Sequence, residues 1–242
     1  MTDPMTEPQA SMPAPVPPPP VAQVKPAPEP PPPEHYPVPE TPAPAAPLPA
    51  LDASDAAMQE GLAALLGQDT LRRFFHLESL VRHLVVTIDN LPRRSFAQRL
   101  SPVKPVGGLM KTSGKEDTLV MAPENAARYT PWVNAFARVD AKKAVALYLS
   151  LQPLFQQAYV ELGYPKGHFN TRLVQVIDHL VTAPEPAGPL RLAVPHVLFE
   201  YADPLLESES AGRKVLFRIG NANAAKVKAK LREIRRELAQ AR

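Results

Sequence analysis

The 242-residue chain contains no cysteine. That absence excludes a disulfide scaffold, a cysteine-based zinc site and a thiol nucleophile. Cysteine-free chains occur in either redox compartment, so the absence locates nothing. No run of 18 or more apolar residues occurs, so no segment of this sequence reads as a membrane-spanning helix. The first residues, MTDPMTEPQ, are acidic and interrupted by proline, which is not a secretory signal. Catalytic signatures are scarce as well. G-x-S-x-G is missing, and with it the hydrolase elbow. H-E-x-x-H is missing; His76 and His83 lie seven apart rather than four, which argues against a helical metal pair. Gly108, Gly114 and Lys115 imitate a phosphate loop, but five residues separate the glycines and Glu116 follows the lysine, so that motif fails too. No motif calls for a cofactor.

What is abundant is proline. Twenty of the 32 prolines precede Leu51. Proline fixes φ and removes the amide donor, so neither a helix nor a sheet ladder runs through such a stretch. Its apolar residues are mostly Ala, Val and Pro, too small to bury a core. The expectation is a disordered Pro-rich spacer over residues 1–50, extended as polyproline II mixed with coil, followed by a single globular domain over 51–242. Fully extended, such a spacer reaches roughly 150 Å. Charge divides at the same point. Net charge is +3; one lysine against five carboxylates gives −4 before Leu51, leaving +7 after it. Much of that excess sits in the last 30 residues, between Arg213 and Arg242.

The remainder reads as mainly α, about seven helices with a small β-hairpin or short strands. A short first helix carries Leu62, Leu65 and Leu66 and stops at Gly67. Asp69 suits the N-cap of a long second helix, with Leu71, Phe74, Phe75, Leu77, Val81, Leu84, Val85 and Ile88 at three- and four-residue steps, ended by Asn90-Leu91-Pro92. Residues 91–122 are irregular; Val106–Met110 and Thr118–Met121 are expected to pair as a hairpin. Pro123 opens a third helix, with Pro131 marking a kink or break. Asp140 caps a fourth, kinked at Pro153 and closed by Gly163. Asn170 or Thr171 opens a fifth. Leu190–Val194 and Val197–Tyr201 are short extended runs. Asp203-Pro204 starts a helical turn, Ser208 or Ser210 a further helix, and Asn221 caps the last, whose apolar stripe is Val227, Leu231, Ile234 and Leu238.

Three segments stand out together: TIDNLPRR at 87–94, SLQPLFQQAYVELGYPKGHFNTRLVQVIDHLVTAPEPAGPLRL at 150–192, and FEYADPLLESESAGRKVLFRIGNANAAKVKAKLREIRREL at 199–238. On these the chain resembles a bacterial family of unknown function, the one numbered 3014, over roughly residues 60–240. The resemblance implies no catalytic residues. It implies context: similar proteins commonly carry an N-terminal membrane helix ahead of a Pro-rich spacer, with the domain outside the cytoplasmic membrane. This chain departs from that pattern in lacking the helix. The expected place is the periplasmic side of the inner membrane if an anchor lies upstream, and the cytoplasm otherwise.

Candidate binding residues follow from chemistry. Arg93 and Arg94, after Asp89-Asn90-Leu91-Pro92, read either as a corner that meets a carboxylate or phosphate, or as a helix stop whose arginines pair with Asp89 or a neighbouring helix end. Asn170 and Arg172 read in the same two ways, with Asn170 as a helix cap. Asp178 and His179 place a carboxylate beside an imidazole, yet adjacent helix residues diverge by about 100°, so they form no dyad unaided. The basic C-terminal helix is a nucleic-acid cue, but it lacks interleaved aromatics and its apolar stripe needs a partner surface. The expected function is a non-enzymatic envelope interaction module on a Pro-rich tether, binding a protein or a cell-wall component. The alternatives are an envelope enzyme using Asp178 and His179, and a nucleic-acid-binding protein using the C-terminal helix.

Overall fold

The computed structural model describes residues 36–37, 47–95, 97–195 and 198–241; the spacer reading for 1–35 and 38–46 lies outside them, as does Val197 of an expected strand. Eleven α-helices and two small antiparallel strand pairs make up the described body. It is mainly α, as expected. The helices outnumber the seven expected because several long apolar periods are cut by tertiary contacts.

The first cut falls in the expected second helix. Helix α1 (Asp55–Leu66) is followed by α2 (Gln68–Phe74) and α3 (Leu80–Asn90). Asp69 lies inside α2 and does not cap it; Gly67 holds that place. Between α2 and α3, Phe75 forms an antiparallel bridge with Val103, and the His76 amide donates to the Pro102 carbonyl at 2.8 Å. Ser79 turns left-handed at φ 50. The Asp55 carboxylate of α1 accepts the Ser79 and Leu80 amides at 2.7 and 2.8 Å, so a residue from another helix satisfies the free donors at the start of α3.

The hairpin also departs from expectation. Strand β1 (Thr112–Ser113) pairs with β2 (Val120–Met121), later in the chain than Val106–Met110. The reason is Arg128, whose guanidinium takes the Gly107 and Gly108 carbonyls at 3.0 and 2.6 Å. Those carbonyls are lost to a ladder.

Pro131 and Pro153 mark breaks. They separate α4 (Glu124–Ala127) from α5 (Thr130–Ala137), and α6 (Ala141–Ser150) from α7 (Gln152–Glu161), each proline sitting in the first turn of the later helix, where its missing amide costs nothing. Asp140 caps α6 as expected, accepting the Lys143 amide at 2.9 Å. Helix α8 (Phe169–Val181) follows. Strand β3 (Leu192–Ala193) pairs with β4 (Glu200–Tyr201). Short α9 (Pro204–Ser208) is capped by Asp203, and α10 (Ala211–Ile219) by Ser210. Gly220, at φ 81, makes the sharp junction to α11 (Asn221–Gln240), a left-handed turn that favours glycine. Asn221 therefore does not cap α11; its side-chain amide donates to the Pro186 carbonyl.

Helix α8 organises the interior. Its Phe169 joins the core of α1, α3 and α7, with Met58, Val85 and Phe155. Its Val176 and Leu180 join Val133, Leu216 and Val227 of α5, α10 and α11. Its Val174 and Ile177 join Val145 and Leu238 of α6 and α11. Stacked Phe155 and Phe169, 5.6 Å apart, seat α7 against α8. Leu48 packs on the first cluster and Tyr36 on the third.

Close approach at one point sets where α10 lies. Gly212 is buried, and a Cβ there would stand 2.7 Å from Leu180 Cδ2, 3.0 Å from the Leu91 carbonyl oxygen and 3.2 Å from Leu91 Cβ. Gly212→Ala is expected to lower the unfolding free energy by about 1–3 kcal/mol, the range for overpacking a filled site. Urea denaturation measures it; unchanged stability would mean α10 can shift freely.

Candidate functional site

The sequence-marked polar residues converge in part. Asp89 closes α3 and is 2 % exposed. Its carboxylate accepts Arg93 Nη2 at 2.6 Å, Arg172 Nε at 2.8 Å and the Tyr164 hydroxyl at 3.1 Å. Arg172 Nη2 also takes the Asp89 carbonyl at 2.6 Å, and Arg93 reaches the Tyr164 oxygen at 2.6 Å. The carboxylate beside it pushes the Arg93 pKa above its ordinary value. Burial, with the Asp89 charge adding to it, raises the neighbouring Tyr159 phenol, which stacks on Tyr164 at 4.5 Å. Arg93 thus makes the contact with Asp89 that the helix-stop reading of DNLPRR describes. Arg94 is exposed and takes no part in the cluster.

Beside it lies a second polar group. The loop after Asp89 turns its carbonyls onto α10: the Ala211 amide donates to the Arg93 carbonyl at 2.6 Å and the Gly212 amide to the Leu91 carbonyl at 2.8 Å. Ser210 Oγ accepts the Arg213 amide at 3.3 Å and sits 2.8 Å from His179 Nε2. Arg213 in turn bonds the His179 carbonyl, Glu209 and Thr182. Burial, and then the Arg213 charge, lower the His179 pKa.

Asp178 and His179 diverge, as helix geometry requires. His179 faces Ser210, while Asp178 accepts Arg235 Nε of α11 at 3.1 Å. A serine-histidine contact invites a nucleophile reading, but a working site needs a group to orient the imidazole and amides free for an oxyanion. Here the Asp178 carboxylate is turned to Arg235, and the amides at the start of α10 are spent on Leu91 and Arg93. These contacts brace the corner.

Asn170 does not cap α8. His168 holds the N-cap position, and the Phe169 amide donates to Gln156 Oε1 of α7 at 2.9 Å. Asn170 is 3 % exposed. Its side-chain amide instead donates to the carbonyls of Tyr36 and Pro37. Sequence reasoning missed Tyr36, Tyr164 and Ser210 as members of these clusters. Tyr36 did carry a signal: it is the one Phe, Tyr or Trp in the first 50 residues.

The basic C-terminal helix spends much of its charge inside the body. Lys228 and Lys230 are buried; Lys228 Nζ donates to the Ala183 carbonyl at 2.7 Å and to Glu185 at 2.9 Å, and Lys230 Nζ to the Val139 carbonyl at 2.7 Å, with Glu233 beside it. A separate apolar cavity of about 210 Å³, lined by Met58, Leu62, Phe74, Trp132 and Leu147 among others, includes none of the corner residues. Among the described residues no group of three or more His, Asp or Glu side chains gathers as a metal site, and no helix is long and apolar enough to cross a membrane.

The family model described as protein of unknown function, DUF3014, matches residues 80–235. The chain belongs to that family. The DUF3014 match opens at the start of α3 and closes within α11, so it contains Asp89, both of its arginines and the Ser210–His179 contact. No curated protein matches the chain, and no solved structure does.

Two outcomes follow. Asp89→Ala removes the buried acceptor, while Arg93, half exposed, and Arg172, a quarter exposed, keep access to water; the expected loss is about 1.5–3 kcal/mol, as for hydrogen bonds to a charged group, and chemical denaturation measures it. His179 has a folded pKa below its ordinary 6.5, so the unfolded chain takes up that proton first on acidification. Its contribution is complete above pH 6.5 and declines as pH falls from there through the lower folded value. Denaturation midpoints across that interval should fall less steeply for His179→Asn than for the parent chain.

Proposed function

We propose that the protein is a non-enzymatic interaction module of the bacterial envelope, a helical head carried on a Pro-rich spacer and binding a protein or cell-wall component. The observation that carries this reading is an exposed apolar group on the β3–β4 hairpin and α9. Leu198 is 76 % and Leu205 78 % exposed. Val194 and Phe199, also exposed, follow the Ala193–Glu200 pair at the next register position. Large apolar side chains that adjoin at the surface mark contact surfaces more often than isolated ones do.

Other features agree. The Asp178/His179 alternative has its two groups committed to Arg235 and Ser210. The nucleic-acid alternative has Lys228, Lys230 and Arg235 committed to the body. The proline content before Leu51 suits a tether, and the envelope setting rests on what the family resemblance implies.

A photocrosslinking residue placed at Leu205 or Leu198 in the full chain, in living cells, tests the reading, with Glu60 as an exposed polar control. Discrete adducts from the hairpin positions alone are expected, in the membrane or periplasmic fraction. Equal patterns from all three positions, or adducts confined to nucleic acid, would reject it.

A further inference from the structure

Tyr36 and Pro37 belong to the Pro-rich segment by sequence, yet Tyr36 lies half-buried in a groove on the folded body, with Pro37 exposed at its edge. Hydrogen bonds from Asn170 and Thr171 hold the backbone there. The Tyr36 amide donates to Thr171 Oγ1 at 3.1 Å. Asn170 Nδ2 donates to the Tyr36 carbonyl at 3.1 Å and to the Pro37 carbonyl at 3.3 Å. One amide side chain thus reads two successive carbonyls while the next residue, Thr171, takes the N–H that precedes them. That is recognition of extended backbone.

The ring is held separately. It packs on the core cluster of Val145, Val174, Ile177 and Leu238. Arg235 lies over its face, Cζ to centroid 5.1 Å, a cation–π contact. Asp178 holds that guanidinium in place, and the Tyr148 hydroxyl orients Asn170 by donating to its Oδ1 at 3.1 Å. Backbone contacts supply affinity, and a ring pocket supplies choice.

We propose that the groove of α6, α8 and α11 is a binding site for an extended tyrosyl-prolyl peptide, with the chain's own Tyr36–Pro37 as its resident occupant. The occupant is suited to the task. Proline after tyrosine biases Tyr36 away from helix toward extended backbone, so little conformational freedom is lost on docking. The site is suited to this occupant: with Tyr36 and Pro37 in place Asn170 is 3 % exposed, and its amide donor is satisfied by their two carbonyls. The groove residues Asn170, Thr171, Asp178 and Arg235 all fall within the family match, and Tyr36 falls outside it. The same site therefore accepts a tyrosyl-prolyl segment supplied in trans when the resident one is removed. This does not depend on where the protein resides or on the hairpin surface.

The test is fluorescence anisotropy with a labelled peptide of residues 31–41 and the full-length chain. The Tyr36→Ala variant has a vacated groove and binds the peptide saturably. The parent chain binds it at least about ten-fold more weakly, because a tethered occupant competes at high effective concentration. A peptide with alanine in place of its tyrosine does not bind. In the Tyr36→Ala background, adding Asn170→Asp keeps the acceptor for Tyr148 but removes the donor to both carbonyls, and binding is lost. If that change disturbs folding, as circular dichroism would reveal, Thr171→Val and Arg235→Ala at the less buried rim serve in its place. Absence of saturable binding to the Tyr36→Ala variant, equal binding of the alanine peptide, or binding unaffected by the groove substitutions overturns the proposal.

Discussion

Asp89 is a buried anion gripped by donors from three places: the loop after α3, the turn between α7 and α8, and α8 itself. An isolated carboxylate at that depth would be costly, so the three segments hold their mutual positions as a condition of keeping it charged and bonded. The consequence extends outward. Fixing Arg93 fixes the loop whose carbonyls receive the first amides of α10. Fixing Arg172 fixes α8, on which three core clusters are built.

The same device recurs in weaker form. Asp55 of α1 takes the leading amides of α3, Gln156 of α7 takes that of α8, and buried Asn125 of α4 donates to the Arg218 carbonyl near the end of α10. Several helix ends in this body are thus satisfied by residues remote in sequence, which supply what continuation of the helix would have supplied.

Local capping was legible. Asp140 and Ser210 each accept an amide three residues on, and both were readable from residue type and place. Asp203 likewise starts a turn at a proline. Remote capping was not legible, and it misplaced the rest. Asn170 has the right chemistry for a cap but points into the Tyr36 groove, because Gln156 already serves α8. The long period from Leu71 to Ile88 contains two helices, because nothing in the period itself shows that Phe75 pairs with Val103. The candidate site was half legible for the same reason. Arg93 with Asp89 is a local contact, four residues apart; Arg172 with Asp89 is a tertiary one.

The basic stripe of α11 illustrates the limit from the side of charge. Counted along the chain it is a polycation; in the fold, two of its lysines are buried against carbonyls and carboxylates. By itself the sequence determined the mainly helical class, the family, the proline-dense segment and the caps that act within one turn, since each depends on residue type, period or neighbours a few positions away. Tertiary structure alone decided which helices break, that Asp178 and His179 serve different partners, and that Tyr36 sits on α8. Those outcomes depend on which remote donor reaches a given acceptor first, and no local pattern encodes that.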